Sequence, residues 1–172
     1  MSARDLILRL KKGVSLILAL SLVTLFIFSC ERDKGVKYSH CEIEITLSES
    51  FSEYEAKESF DLAFTDGRMI VGVQRLSFDA GIEDNVPATL TPLTFAEYYL
   101  HRTGTEAEIF EYGYVPYAVF TMSEALESYC YLLSFYRTDY AYFIITFITA
   151  HTMNDNVKDE IFGIIDTVKY KL

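Results

Sequence analysis

Three histidines are the residues of this chain best suited to acid–base or metal chemistry, and their spacing favours neither. His40, His101 and His151 lie far apart in the sequence. None has a second histidine four residues away or a C-x-x-C companion, which are the spacings that hold zinc. The sequence also contains no G-x-S-x-G elbow, no P-loop and no G-x-G-x-x-G loop. We therefore expect surface or boundary histidines, with no metal and no cofactor.

Acidic side chains are plentiful but do not form a recognisable catalytic pair. Glycoside hydrolysis needs two carboxylates at a defined separation in a cleft, which sequence order alone does not provide. Charge runs of this kind are typical of a solvated face. Calcium binding by Glu106, Glu108 and Glu111 stays open, although the twelve-residue calcium loop is missing. The groups are Glu42 with Glu44, Glu106 with Glu108 and Glu111, and Asp155 with Asp159.

Tyrosine is the unusual residue type, with thirteen copies and no tryptophan. A tyrosine side chain has a large apolar body and a polar tip, which suits half-buried sheet faces and interfaces. Tyr112, Tyr114 and Tyr117 surround a Gly113/Pro116 turn, and loop tips carry function more often than their share. We interpret these three tyrosines as a recognition patch.

The N-terminus has the order of a secretory signal. Residues 14–28 are fifteen apolar or small residues without charge, preceded by four basic residues and followed by Ser29. The run is short for a membrane span, although an uncleaved N-terminal anchor remains the alternative. The sequence Ile27-Phe28-Ser29-Cys30 resembles the lipobox of bacterial lipoproteins, with Phe28 departing from the pattern. This resemblance implies cleavage after residue 29 and acylation of Cys30, with more than one hydrocarbon chain in the bilayer.

The expected mature chain is strongly acidic. Residues 1–29 carry four of the 15 Lys and Arg and one of the 25 Asp and Glu. The remaining chain has 11 basic and 24 acidic residues, which gives a net charge of −13. A domain of this charge is repelled by nucleic acid, so we expect no nucleic-acid partner. Cys41 and Cys130 are an even pair in a disulfide-permissive compartment. A bridge between them and two separately buried thiols are both open.

Alternating apolar residues predict an antiparallel sheet of about six to seven strands. Residues 30–40 read as a polar tether, and 41–47 as the first strand with Cys41, Ile43, Ile45 and Leu47 on one face. An Asp66-Gly67 turn predicts a hairpin. Its pairs are Thr65 with Arg68, Phe64 with Met69, Leu62 with Val71, and Phe60 with Val73. Later strands are predicted at 107–112, 117–122, 127–137 and 141–150.

The last two of these strands pair through a Thr138-Asp139 turn, which sets Phe135 opposite Tyr142 and Leu133 opposite Ile144. Both faces of this pair are apolar, so we expect a central strand pair that is covered on both sides.

Two helices complete the predicted fold. The first has Thr94 as N-cap with Glu97 in capping-box position and stops at Gly104. The second begins near residues 154–156 and carries an apolar stripe. The members of this stripe are Val157, Ile161, Ile164, Ile165 and Val168.

The order of these elements resembles the PsbP-like group, which includes the photosystem oxygen-evolving extrinsic protein and DcrB-like bacterial lipoproteins. The resemblance covers roughly residues 41–172 and rests on three motifs: Thr94-x-x-Glu97-Tyr98, a tyrosine-rich meander, and a closing Ile161-x-x-Ile164-Ile165-x-Thr167-Val168-Lys169 helix. The meander tyrosines are Tyr129, Tyr131, Tyr136, Tyr140 and Tyr142. The resemblance implies an antiparallel sheet between helices, and binding or assembly rather than catalysis.

Together these observations predict three segments: a signal peptide (1–29), a tether (30–40) and one α+β domain (41–172) with helices packed on the sheet. We expect a non-catalytic lipoprotein on the outer face of the bacterial cytoplasmic membrane, or else a secreted or N-terminally membrane-anchored protein. Its partner would be an envelope protein or a small ligand. A small hydrolase with an unrecognised triad and a structural envelope protein are the alternatives. A cleft joining His101 or His151 to a serine and a carboxylate would favour the hydrolase.

Overall fold

The computed structural model describes residues 35–55, 60–78, 86–124, 127–150 and 152–170. Within these ranges the chain forms ten strands and two helices. The strands are β1 (Val36–His40), β2 (Ile43–Leu47), β3 (Ser52–Glu53), β4 (Leu62–Thr65), β5 (Met69–Ser77), β6 (Ile109–Tyr112), β7 (Val115–Glu124), β8 (Glu127–Arg137), β9 (Ala141–Thr149) and β10 (Lys169–Tyr170). The helices are α1 (Pro92–Thr103) and α2 (Asp155–Ile165).

The strands form two antiparallel sheets. Seven strands lie in the order β3-β4-β5-β9-β8-β7-β6, and three lie in the order β1-β2-β10. The predicted α+β class and the antiparallel sheet of six to seven strands are therefore confirmed. Among the described residues, no helix has the length and apolarity needed to cross a membrane.

Strands β8 and β9 form the centre of the seven-stranded sheet. Every residue from 141 to 147 is buried, because β9 lies between β5 and β8 and both of its faces are covered. On one face Phe143 and Phe147 join the core beneath α2 and β2. On the other face Tyr142 and Ile144 join the core beneath α1. The predicted central pair that is covered on both sides is confirmed.

The prediction of a polar tether is wrong for residues 36–40, which form β1. This strand pairs along its whole length with β2, from Val36 opposite Leu47 to His40 opposite Ile43. The ring of Tyr38 packs on Phe64 with centroids 4.1 Å apart. Because β1 is the edge strand of its sheet, its other side chains are exposed or half-buried. It therefore lacks the apolar alternation that marks a buried strand. The remaining tether residues up to 34 lie outside the described ranges.

The first predicted strand begins two residues later than predicted. Cys41 lies in the turn between β1 and β2 with a φ of +50°, and its side chain is exposed. The buried face of β2 therefore consists of Ile43, Ile45 and Leu47 alone.

The hairpin between β4 and β5 is present, but its turn lies one residue later than predicted. The N–H of Asp66 donates to the carbonyl of Met69 (3.3 Å), so Gly67 and Arg68 are the two central residues. Gly67 has a φ of +84°, as the first central residue of a type II′ turn requires. The Asp66 carboxylate accepts from the N–H groups of Arg68 and Met69, both at 2.9 Å. Leu62 consequently pairs with Val73, and the predicted register is wrong by two residues.

The turn of the hairpin between β8 and β9 also lies one residue later than predicted. The hydroxyl of Thr138 accepts from the N–H groups of Tyr140 (3.3 Å) and Ala141 (3.1 Å), which makes Asp139 and Tyr140 the central residues. Phe135 therefore lies opposite Ile144 and not opposite Tyr142. In both hairpins a polar side chain caps the turn from the position before its centre, as serine, threonine and aspartate commonly do.

Helix α1 begins three residues earlier than the capping-box prediction. Thr91 is the N-cap, and its hydroxyl accepts from the N–H of Thr94 (3.2 Å). Pro92 occupies the first helical position, where its missing N–H has no consequence. The predicted end is confirmed, because Gly104 has a left-handed φ of +65°.

Helix α2 has the predicted start but a shorter length. Asn154 caps it through a 3.1 Å bond from the N–H of Val157. The helix ends at Ile165, and the chain then forms β10, with Lys169 opposite Glu44 of β2. The prediction of helix through Val168 is therefore wrong.

We predict that Gly67→Val lowers the free energy of unfolding by about 1–3 kcal/mol, because a β-branched residue is strained at positive φ. No heavy atom lies within 4 Å of the position that a new Cβ would occupy, so backbone strain is the only cost. Chemical denaturation of the two proteins measures the difference.

The matched control is Gly163→Val on α2, where a new Cβ also has open space but the backbone is helical. Valine is slightly better than glycine in a helix, so stability should stay level or rise by a few tenths of a kcal/mol. Equal behaviour of the two variants would contradict the turn assignment.

Candidate functional site

The hairpin of β6 and β7 brings the predicted recognition patch to one end of the seven-stranded sheet. Tyr112 pairs with Val115, and Gly113 between them has a φ of +61°. The side chain of Tyr114 at the tip is 98% exposed. Tyr112 and Tyr114 thus both lie at the tip of the hairpin, next to the end of α2.

These two tyrosines form part of an open pocket of about 480 Å³, which we call the tyrosine pocket. Its walls come from the β6–β7 hairpin, from β8, and from the segment that links α2 to β10. A volume of this size is within the range of small-molecule sites. The lining residues are Tyr112, Gly113, Tyr114, Val115, Tyr136, Ile165, Asp166, Val168 and Tyr170.

Tyr112 is fixed by two contacts to the end of α2. Its ring stacks on Phe162 with centroids 4.2 Å apart and an interplanar angle of 4°. Its hydroxyl donates to Oδ2 of Asp166 at 2.9 Å. The hydrogen bond to the carboxylate raises the pKa of Tyr112. Both contacts hold the wall of the pocket against the helix.

Tyr117 does not line the pocket. Its ring stacks on Phe110 (5.6 Å) and meets the edge of Phe162 (5.3 Å), so it supports the hairpin from within the core. The structure therefore brings together two of the three tyrosines of the predicted patch and gives the third a packing role.

Tyr136 lines the pocket from the buried side. The residue is only 2% exposed, and its hydroxyl, which is inaccessible to solvent, has no hydrogen-bond partner among the described residues. Ser134 lies two residues earlier on the same face of β8, and its hydroxyl donates to the carbonyl of Ile145. Burial raises the pKa of Tyr136 and the negative charge of Asp166 acts in the same direction, whereas the Ser134 hydroxyl lowers the pKa.

The ring of Tyr136 also contacts Tyr170 of β10, with centroids 5.8 Å apart and an interplanar angle of 56°. Tyr170 is 44% exposed. The pocket thus has one deep aromatic residue and three that are closer to solvent.

A second pocket, of about 470 Å³, lies on the opposite face of the sheet beside α1. Its floor includes Phe120 and Tyr131, whose rings are stacked at 5.2 Å. The hydroxyl of Thr103 in its wall already bonds to the carbonyls of α1 and to Thr105. In the part of the chain that the structure describes, no buried polar side chain of this second pocket lacks a partner.

The remaining sequence-predicted residues are dispersed. Cys41 and Cys130 are both free, the first exposed in its turn and the second buried on β8, so the structure does not form the bridge. His101 is exposed on α1 and has no hydrogen bond to a described serine or carboxylate. Cys30 and His151 lie outside the described residues. Within the described ranges, no three histidine, cysteine or acidic side chains come together as a metal site.

The carboxylates that the sequence grouped have separate surroundings. Glu42 forms a paired hydrogen bond with the guanidinium of Arg75, at 2.9 and 3.0 Å. This bond is the main cause of the lowered pKa of Glu42. Glu106, Glu108 and Glu111, for which the sequence leaves calcium binding open, have exposed side chains.

Three pocket residues were not predicted from the sequence: Tyr136, Asp166 and Tyr170. The alternation of side chains along β8 did indicate which face Tyr136 occupies. Residues two apart in a strand share a face, so Tyr136 lies on the face of Cys130 and Leu132. No local signal marked Asp166 or Tyr170, because the helix was expected to continue beyond Ile165.

These observations define an α+β sandwich in which an antiparallel sheet carries helices on both faces. A crystal structure of a protein from Bacteroides thetaiotaomicron VPI-5482 is similar over 81% of this chain, with a TM-score of 0.55 and 13% identity. This chain spans about half (49%) of the length of that one. Both chains therefore share the fold, and at this identity the likeness concerns the fold alone.

A solution structure of cyanobacterial PsbP (CyanoP) from Synechocystis sp. PCC 6803 is also similar, over 82% of this chain and 95% of that one. The identity is 12% and the TM-score is 0.45. A cyanobacterial PsbP is thus among the structures similar to this chain. No protein-family model and no curated protein matches the sequence.

We predict that Tyr136→Phe leaves the protein as stable as the wild type or stabilises it by up to about 1–2 kcal/mol. An unpartnered buried hydroxyl is a net cost to the folded state, and phenylalanine keeps the ring without it. Denaturant unfolding at neutral pH measures the effect.

Tyr142→Phe is the matched control, because this buried hydroxyl bonds to the carbonyls of Pro87 (2.8 Å) and Leu90 (3.0 Å). Its removal should destabilise the protein by about 1–3 kcal/mol. Equal losses in both variants would mean that the Tyr136 hydroxyl has a partner in the folded protein.

Proposed function

We propose that this protein is a non-catalytic binding module of the bacterial envelope, and that the tyrosine pocket is its recognition site. The observation that carries the proposal is the ring of Tyr114, which lines the pocket and is 98% exposed. An aromatic side chain presented in this way can act as an anchor residue of a complex.

The other walls of the pocket support a binding role. Tyr112, Tyr114 and Tyr170 supply large apolar surfaces with polar tips, a combination that is enriched at interfaces. The stacking of Tyr112 on Phe162 fixes one wall in advance, so little ordering is required when a ligand binds. The exposed ring of Tyr114 is available to cover a ligand or to enter a pocket of a partner.

We further propose that the protein is lipid-anchored through Cys30 on the outer face of the cytoplasmic membrane. Support comes from the sequence: a basic segment, a fifteen-residue apolar run, and the order Ile27-Phe28-Ser29-Cys30. Two or more acyl chains are enough for stable anchoring. A secreted form and an uncleaved anchor are the alternatives that an experiment must separate.

Cys30→Ala should abolish incorporation of labelled fatty acid and leave the chain unprocessed or soluble. Metabolic labelling followed by membrane fractionation measures both effects. Cys41→Ala is the control, since this exposed cysteine lies in the folded domain and its loss should leave acylation unchanged. Continued labelling of the Cys30→Ala variant would show that Cys30 is not the attachment point.

For the recognition site, Tyr114→Ala should leave the melting temperature nearly unchanged, because 98% of the side chain is exposed. It should weaken the complex by more than about 2 kcal/mol if the ring is an anchor residue. The measurement is the amount of partner or ligand that co-purifies from a native membrane fraction, identified by mass spectrometry.

Tyr140→Ala is the matched control for this experiment. Tyr140 is also an exposed tyrosine (62%) at the tip of a hairpin of the same sheet, but it lies outside the tyrosine pocket. Selective loss of one species from the Tyr114 variant supports the proposal. Equal recovery of every species from all three proteins would exclude the pocket as the recognition site.

A further inference from the structure

The end of α2 concentrates negative charge at the tyrosine pocket. Asp166 caps the helix C-terminus, where the helix dipole is already negative, and a carboxylate is unfavourable there. The last turn of α2 contains no basic residue. Among the described residues no lysine, arginine or histidine forms an ion pair with Asp166. Two sources of negative potential therefore meet here, and within the described ranges no cation is paired with them.

The walls of the pocket add to this potential. Four of the nine lining residues are tyrosines, whose ring faces are negative and attract cations. None of the lining residues is basic. Aromatic walls with one carboxylate are the arrangement by which proteins commonly recognise ammonium groups. An anion would be repelled by Asp166, and a neutral apolar group would leave the carboxylate unpaired.

One oxygen acceptor defines which kind of cation fits. The Oδ2 atom of Asp166 accepts from Tyr112, so Oδ1 is the atom of the carboxylate without a described donor. A primary ammonium carries three N–H donors, whereas a quaternary ammonium carries none. A group with N–H donors can therefore bond to Oδ1 and contact the aromatic faces together.

We infer that the tyrosine pocket binds a primary alkylammonium group, held by the Asp166 carboxylate and the surrounding tyrosine rings. This inference rests on the proposed function, because it names the chemistry of the same site. The group is either a free amine or the lysine side chain of a partner. A pocket of about 480 Å³ has room for the alkyl chain beside Val168 and Ile165.

The test is titration of the full-length, acylated protein in detergent, by calorimetry and by amide chemical shifts of Gly113 and Asp166. The probes are n-butylammonium, tetramethylammonium, n-butanol and butyrate. Butylammonium should bind saturably and shift both amides. Butanol and butyrate should not, since one lacks the charge and the other has the wrong sign.

Asp166→Asn should weaken butylammonium binding about threefold to fivefold, as the loss of an exposed charged partner does. Asp155→Asn is the matched control, because it removes the same charge from the other end of α2 and should change affinity less than about twofold.

The outcomes separate this inference from the proposed function. Absence of butylammonium binding, or equal binding to Asp166→Asn, would overturn the ammonium assignment, while the co-purification result with Tyr114→Ala would still decide the recognition site. Equal affinity for tetramethylammonium would overturn the role of the Asp166 carboxylate as an acceptor of N–H groups. Tighter binding of Nα-acetyl-lysine methylamide than of butylammonium would identify a protein lysine as the source, and the reverse order a free amine.

Discussion

The burial of β9 on both faces is the constraint on which the rest of this structure depends. A strand whose residues 141–147 are all inaccessible can satisfy its backbone only through β5 and β8, and its side chains only through cover on both sides. One cover is α1, whose Phe95 stacks on Tyr142 at 4.0 Å. The other is α2 together with β2. Both helices and the small sheet are thus required by a single apolar strand.

This constraint explains why the sequence predicted the fold well and its details less well. Apolar residues on both faces of 141–150 indicated a central strand and hence helices on both sides. The pairing was wrong by two residues because a shift of two keeps every side chain on its face. Apolar alternation alone therefore cannot distinguish the two registers. The distinction comes from Asp66 and Thr138, whose side chains bond to backbone N–H groups and fix where each turn begins.

The tyrosine pocket was harder to predict because it depends on the end of a helix. The apolar stripe of α2 continues to Val168, but Thr167 ends the helix by contacts to a distant strand. Its hydroxyl donates to the carbonyl of Ile164 (2.7 Å) and accepts from the N–H of Thr46 (3.0 Å). These bonds turn the chain toward β2, which places Tyr170 beside Tyr136. The position of Tyr170 therefore depends on tertiary contacts, which the sequence pattern does not show. The exposed position of Tyr114, by contrast, follows from a local turn.

The pocket and the core share one residue, and this sharing limits how the site can vary. The Tyr136 ring belongs to the core beneath α2 and also lines the pocket. Its hydroxyl is buried without a hydrogen-bond partner among the described residues, and phenylalanine would fill the core equally well. Asp166 differs, because its carboxylate accepts the Tyr112 hydroxyl and so holds the pocket wall against α2, although the negative end of the helix disfavours a carboxylate. The wall of the site is therefore fixed by a residue that the helix alone does not favour, which is the pattern expected where the geometry of a site outweighs the stability of one element.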